Sequence, residues 1–142
     1  MRYQSGVTTV DTTAAESFAL GQGLCQDYSH LMLALCRAAH LPARYVSGHL
    51  LGKGGSHAWV EVFLPTEQGL EPFAFDPTNN RRPHLGYITV AVGRDYRDVS
   101  PTSGSFTAPY VGRLICSKRA GLTLIEYSNG TILHSQPIRS DC

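Results

Sequence analysis

The stretch from Cys25 to Ala39 has the strongest periodicity in the sequence and constrains the fold most. Its apolar side chains recur at the i, i+3, i+4 and i+7 spacing of a helix that buries one face. Gly21 and Gly23 precede this stretch and Pro42 follows it, and such residues commonly flank a helix. The sequence therefore predicts a long amphipathic helix that begins near Cys25 and packs one side against another layer.

Strand patterns follow this helix, and a short helix is predicted before it, around residues 11–20. Residues 44–51 are rich in β-branched and aromatic side chains and lead into a glycine-rich turn. Residues 57–64 alternate, so that aliphatic side chains share one face while His57 begins the other, where an imidazole can reach solvent. A third strand, at residues 73–76, ends before Pro77. One long helix followed by sequential strands predicts an α+β fold, with that helix packed on an antiparallel sheet.

The later part of the sequence predicts further strands at residues 87–92, 111–116, 122–127 and 131–134. Asn129-Gly130 predicts a two-residue hairpin turn between the last two strands. With 142 residues and no internal repeat or low-complexity linker, the chain is expected to form one domain. Residues 112–142 are expected to add C-terminal strands that carry no recognised functional motif.

Charge and cysteine usage narrow the function classes. Twelve basic and eleven acidic residues give a net charge of +1 without charge runs, so neither nucleic acid nor a membrane surface is an expected partner. No apolar run approaches the roughly 20 residues of a membrane span, and no secretory leader is visible. The four cysteines lack paired spacing, which predicts free thiols in a reducing cytoplasm and neither a bound metal nor another cofactor.

Cys25 is the candidate nucleophile. Its expected position at the start of the strongest helix places unpaired N–H groups and the positive end of the helix dipole beside its sulfur, which favours a thiolate. The same N–H groups could stabilise an oxyanion. The alternative is a buried core residue, because free cysteine is among the most often buried residue types. Cys36, inside the same helix, is expected to be such a core residue.

His57 and Asp76 could complete a catalytic triad with Cys25. A thiolate needs an imidazole that carries a proton to the leaving group, and the imidazole needs a carboxylate that fixes its tautomer and orientation. Both residues lie at predicted strand boundaries, where side chains can reach a site. Taken singly, each is more often structural, so the pattern alone leaves the triad as a hypothesis.

Four further residues are candidates for the substrate cleft. Gln22 is the nearest side-chain amide before Cys25. Trp59 shares a strand face with His57 and could either wall the cleft or simply pack. Asp95 and Tyr96 belong to a polar loop that could line the site or be solvated.

Three segments around the candidate residues resemble the motifs of the transglutaminase-like superfamily, in the order and at the separations found there. They are Gly23-Leu24-Cys25-Gln26-Asp27-Tyr28, His57-Ala58-Trp59-Val60-Glu61-Val62 and Phe75-Asp76-Pro77-Thr78-Asn79. The similarity is greatest to bacterial transglutaminase-like cysteine peptidases and extends over roughly residues 2–110. It implies a papain-like α+β core with Cys25 as nucleophile, His57 as base and acid, and Asp76 as the residue that orients His57.

The resemblance implies acyl transfer through a Cys25 thioester on a peptide or protein substrate. Hydrolysis is the favoured outcome, as in a peptidase or amidase, whereas attack by a lysine amine would make the protein a glutamine γ-glutamyltransferase-type cross-linker. A non-enzymatic binding or scaffolding module is the third reading. Members of this branch carry a long region before the core. An upstream region is therefore expected to be missing here, and the uncovered apolar surface is expected to drive self-association.

Overall fold

The computed structural model describes residues 1–100, 105, 107–113, 124–126 and 129–134. Contacts within the chain group into two compact units, Met1–Val111 and Gly112–Cys142. The helices of the first unit are α1 (Ala14–Leu20), α2 (Cys25–Ala38) and a short 3₁₀ helix (Tyr96–Val99). Its strands are β1 (Arg2–Tyr3), β2 (Gln22–Gly23), β3 (Ala43–Leu50), β4 (His57–Thr66), β5 (Gly69–Phe75) and β6 (Tyr87–Gly93). All of the candidate site residues lie in this unit.

Four strands of the first unit form one antiparallel sheet in the order β5-β4-β3-β6, and α2 packs on it. The core between helix and sheet consists of Leu33, Cys36, Tyr45, Ala58, Val60, Val62 and Val99. The aliphatic side chains of β4 therefore occupy the core face that the alternation predicts. Cys36 is buried there, as expected of a mid-helix cysteine. The α+β prediction, with the long helix on an antiparallel sheet, is confirmed.

Helix α2 begins at Cys25, and the local sequence explains why. Asp27 Oδ2 accepts hydrogen bonds from the Leu24 N–H and the Thr8 hydroxyl, both at 2.7 Å, and so ties the first turn to the preceding chain. Only glycine fits at position 23, because a Cβ there would lie 2.7 Å from the Asp27 carboxylate. Among the residues described, no helix is long and apolar enough to cross a membrane.

Close packing at Gly48 brings β6 and an indole ring onto β3. A Cβ at this position would overlap the carbonyl oxygen of Ile88 and lie 2.5 Å from Cη2 of Trp59. The pairing of β3 with β6 also shifts register between Ser47 and Gly48. The absence of a side chain at Gly48 is therefore what lets β6 and Trp59 approach from one side of the strand.

The second unit contains β7 (Leu124–Glu126) paired with β8 (Ile132–His134). The predicted antiparallel pairing is found, but with Glu126 opposite Ile132, which is not the register of a two-residue turn at Asn129-Gly130. Asn129 Oδ1 accepts the Thr131 N–H at 3.0 Å, which stabilises the chain between these two residues. Residues 111–113 do not form the predicted strand, and residues 114–116, 122–123 and 127 of the predicted strands lie outside the described residues.

Candidate active site

His57 and Asp76 meet where β4 begins and β5 ends. The antiparallel register pairs Val60 with Phe75, which brings the first residue of β4 beside the residue that follows β5. The His57 Nε2 and Asp76 Oδ2 atoms are 2.7 Å apart, and the side chains are almost completely buried, since His57 is 7% and Asp76 1% exposed. Two neighbouring strands thus place an imidazole and a carboxylate in direct contact away from solvent.

The Asp76 carboxylate accepts five hydrogen bonds. Oδ1 accepts the backbone N–H groups of Thr78 and Asn79 at 3.0 and 3.1 Å. Oδ2 accepts from His57, from Asn79 Nδ2 at 2.6 Å and from Tyr87 Oη at 2.5 Å. Burial raises the pKa of Asp76, but these donors, above all His57, lower it well below its ordinary range. Asp76 therefore stays ionised and can orient the imidazole.

Cys25 and Asp76 together hold a proton on His57. Burial lowers the pKa of His57, but its hydrogen bonds with Asp76 and Cys25 outweigh burial and raise the pKa to about 9. Because Nε2 is directed at Asp76, Nδ1 is the ring nitrogen available to the Cys25 thiol. Cys25 itself is half-buried at the first residue of α2 and packs against the core. The structure thus places His57 in direct contact with Asp76, and Cys25 acts on the pKa of the same imidazole from the start of α2.

Aromatic side chains cover the face of β4 on which His57 lies. The Trp59 ring stacks on His57 with centroids 6.2 Å apart, and the Tyr87 ring packs edge-on against Trp59 at 5.4 Å. The expectation that His57 reaches solvent is therefore wrong, because this face of the strand is buried at His57 and Trp59. Trp59 is only 2% exposed, which gives it a packing role beneath His57 rather than the cleft-wall position considered from the sequence.

Gln22 lies close to Cys25 along the chain but in a different element. It forms the two-residue strand β2, which pairs in parallel with Arg2 and Tyr3 of β1. Its side chain is half-buried. Burial raises the pKa of Tyr3, and the negative charge of Cys25 raises it further, so β1 lies within electrostatic reach of the thiol. A contact of Gln22 with a substrate stays a prediction from the sequence.

Tyr96 is held against α2, whereas Asp95 caps the 3₁₀ helix that follows it. Asp95 Oδ1 accepts the Arg97 N–H at 2.9 Å, and the Tyr96 N–H donates to Nε2 of His30 at 3.1 Å. Burial raises the pKa of Tyr45 strongly, and the charges of Cys25, Tyr96 and Asp95 are among those that add to this effect. A place for Asp95 and Tyr96 in the substrate cleft stays a prediction.

Two residues that contact Asp76 were not singled out by the sequence. Asn79 had a local signal, because an aspartate followed by polar residues two and three positions later commonly accepts their N–H groups in a turn. Tyr87 had none beyond its place at the start of a predicted strand. It reaches Asp76 because β6 pairs with β3, with Tyr87 opposite Leu50.

Comparison with known proteins shows which family this chain is similar to. The family model of the transglutaminase-like superfamily matches residues 1–77. An uncharacterized protein of Mycobacterium tuberculosis is 40% identical over 114 residues, which cover 72% of this chain and 36% of that relative. An uncharacterized protein of Mycobacterium leprae is 36% identical over 115 residues, which cover 74% of this chain and 39% of that relative. The chain thus spans little more than a third of the length of these relatives.

A solved structure is also similar to this chain. The crystal structure of a putative cysteine protease from Cytophaga hutchinsonii aligns with a TM-score of 0.61 and 34% sequence identity. The alignment covers 70% of this chain and 34% of the Cytophaga protein. The family model covers more than half of the 142 residues and includes Cys25, His57 and Asp76. The chain belongs to the transglutaminase-like superfamily.

Proposed function

We propose that this chain catalyses cysteine-dependent acyl transfer on peptide or amide bonds, with hydrolysis as the outcome. The observation that carries the proposal is the buried His57–Asp76 pair, whose imidazole has a pKa that is raised by Asp76 and by Cys25 at the start of α2. Membership of the superfamily and the similarity to the Cytophaga protein support a cysteine-dependent activity in general. Cys25 is the proposed nucleophile, His57 the proposed acid and base, and Asp76 the residue that orients His57.

Acylation begins when the Cys25 thiolate attacks the carbonyl carbon of the substrate and a tetrahedral intermediate forms. His57 has a pKa of about 9, so at neutral pH it carries the proton that the departing amine requires. Collapse of the intermediate breaks the C–N bond, releases the protonated amine and leaves a thioester on Cys25. His57, now neutral, accepts a proton from water as the water oxygen attacks the thioester carbon. Collapse of this second intermediate breaks the C–S bond, releases the acid and restores the Cys25 thiolate and protonated His57.

The start of α2 offers a site for the negative charge that develops on the carbonyl oxygen. Leu24 is the N-cap residue, and its apolar side chain supplies no oxygen to the N–H groups of the first turn. The N–H groups of Cys25 and Gln26 are therefore the proposed oxyanion donors, assisted by the helix dipole. Gln22, two residues before the N-cap, is the side-chain amide proposed to approach the same oxygen.

Transamidation is the second candidate, because the same thioester can react with an amine instead of water. A lysine side chain of a protein would then replace the leaving amine, and the products would be cross-linked chains rather than fragments. The two outcomes share Cys25, His57 and Asp76 and differ only in the second nucleophile. A reducing cytoplasm as location and a peptide or protein as substrate complete the proposal.

An acyl-transfer probe tests the proposal directly. A thiol-reactive peptide acyl probe, followed by mass spectrometry of the labelled peptide, should identify Cys25, and Cys25→Ala should abolish labelling of that peptide. Cys36→Ala is the matched control, because this buried thiol belongs to the core and should not change labelling. Labelling that survives Cys25→Ala would overturn the assignment. A fluorescent primary amine added with a glutamine-containing protein then distinguishes the two outcomes, since its incorporation indicates transamidation and fragments without incorporation indicate hydrolysis.

A further inference from the structure

Tyr87 contacts the His57–Asp76 pair through a hydrogen bond to Asp76, and a second contact with Arg81 determines which atom donates. Its Oη lies 2.5 Å from Asp76 Oδ2 and 2.8 Å from Nε of Arg81. A guanidinium has only donors, so the Arg81 bond occupies a lone pair of the phenol oxygen, and the phenol proton points to Asp76. Burial raises the pKa of Tyr87 and the hydrogen bond to Asp76 raises it further, so the phenol keeps that proton at neutral pH.

Packing on several sides holds the Tyr87 ring in this position. Its centroid is 5.8 Å from that of His57 and 5.4 Å from that of Trp59. The guanidinium of Arg81 lies 5.5 Å over the ring, and the ring of His84 meets it edge-on at 5.1 Å. The hydroxyl is therefore directed at Asp76 by the surrounding side chains, and a phenylalanine could keep these contacts while losing only the donor.

We propose that Tyr87 is a positioning residue of the site, which shares Asp76 Oδ2 with His57 and so limits how tightly His57 retains its proton. The proposal rests on the proposed function for its catalytic consequence alone. Hydrolysis requires His57 to give a proton to the leaving amine and then to take one from water. A histidine that holds its proton too tightly performs both transfers poorly.

Competition at one oxygen gives the physical reason. Each donor to Oδ2 withdraws negative charge, and the Tyr87 bond is strongest when His57 is neutral and Asp76 carries its full charge. Tyr87 therefore favours the neutral form of His57, and the positive charge of Arg81 acts in the same direction. Among the described residues, five titratable or charged groups lie around the His57–Asp76 pair. They are Cys25 of α2, Tyr87 of β6, Arg81 and His84 of the segment before β6, and Lys53, whose Nζ lies 3.4 Å from Asn79 Oδ1.

The test is a titration of His57 by NMR in chain labelled with ¹³C and ¹⁵N at histidine. Tyr87→Phe removes the donor and keeps the ring, and it should raise the pKa of His57 by about half a unit or more. Arg81→Met removes the donor to the phenol together with the positive charge above the ring, and it should raise the pKa by a smaller amount. Tyr110→Phe is the matched control, because Tyr110 is 73% exposed, and it should leave the pKa of His57 unchanged.

A His57 pKa that is unchanged or lowered in folded Tyr87→Phe protein would overturn the proposal. If Tyr87→Phe does not fold, the His57 pKa in Arg81→Met is the test instead, and an unchanged or lowered pKa overturns the proposal. Arg81 is exposed, so its replacement leaves the core intact. The titration needs no turnover, so it separates this proposal from the proposed function. A raised pKa in protein whose Cys25 forms no acyl-enzyme would support the positioning role and contradict the catalytic one.

Kinetics provide a readout that a purely structural role would not change. With a hydrolysed peptide substrate, Tyr87→Phe should move the rise of the deacylation rate to higher pH, because neutral His57 becomes available only there. Near neutral pH the acyl-enzyme should accumulate, so that kcat and KM fall together by about threefold or more, as a pKa increase of half a unit requires. A loss of kcat that is equal at every pH would indicate simple damage to the site and contradict the proposal.

Discussion

Replacing Asp76 with asparagine tests the electrostatic basis of the site most directly. The substitution preserves size but removes the negative charge. It also replaces one acceptor oxygen with an NH₂ group that cannot accept hydrogen bonds. Asp76 is 1% exposed, and all five of its hydrogen bonds are accepted ones. An asparagine can satisfy only the donors on one side, and it loses the attraction that holds a proton on His57.

The structure gives the size of this effect. The pKa of His57 is about 9, compared with an ordinary value of 6.5, and the hydrogen bond with Asp76 is the largest contribution that raises it. At about 1.36 kcal/mol per pKa unit, the difference corresponds to about 3 kcal/mol that favours the protonated imidazole in the folded protein. In Asp76→Asn the effect of burial remains, so the pKa of His57 should fall close to 6.5 or below.

The sign of the pH dependence follows from this difference. A histidine whose pKa is raised by folding stabilises the fold fully below its unfolded pKa of about 6.5. That stabilisation is lost as the pH rises through about 9. The free energy of unfolding of the natural chain should therefore decline by up to about 3 kcal/mol between pH 6 and 10 from His57 alone. Urea unfolding at both pH values measures this decline, which should largely disappear in Asp76→Asn.

The matched control is Asp11→Asn, which removes a carboxylate that is exposed and only 3.4 Å from an exposed arginine. This control should keep the pH dependence of the natural chain. Histidine NMR provides the second measurement, and it should show the lowered pKa of His57 in Asp76→Asn. A folded Asp76→Asn protein in which His57 still titrates near 9 would refute the reasoning, because the charge of Asp76 would then not be what holds the proton.

Three further outcomes are expected. Limited alkylation with iodoacetamide, measured by mass spectrometry, should modify Cys25 before Cys36, because Cys36 is buried and burial raises its pKa. The reverse order would contradict the assignment of Cys25 as nucleophile. Gly48→Ala should reduce the free energy of unfolding by about 2 kcal/mol or more, because the new methyl group would overlap β6 and the Trp59 indole. The control Gly54→Ala meets open space and should leave the urea midpoint nearly unchanged. The self-association predicted from the sequence should involve β6, the edge strand of the described sheet, where Val90 is 65% exposed. Sedimentation at micromolar concentration should show oligomers that Val90→Lys disperses, and a monomer would contradict the prediction.

Local patterns in the sequence predicted α2 and the four strands of the main sheet, and they named Cys25, His57 and Asp76 as candidates. The helical spacing after Cys25 predicted where α2 begins, and the alternation in β4 predicted which aliphatic side chains enter the core. The same alternation placed His57 and Trp59 on one shared face, as the structure has them. It did not predict that this face is buried. Alternation shows that the two faces of a strand carry different side chains, but what covers each face depends on segments that are distant in the chain.

The sequence by itself determined where three residue types occur in one α+β core: a cysteine at a helix start, a histidine at a strand start and an aspartate at a strand end. Each of these positions is specified by its near neighbours in the chain. Only the tertiary structure decided that Tyr87 donates to the same Asp76 oxygen as His57. That contact depends on how β6 pairs with β3, and on Gly48, which lets β6 and the Trp59 ring pack closely. Hydrogen bonds between distant segments require a three-dimensional register, and no local periodicity encodes it.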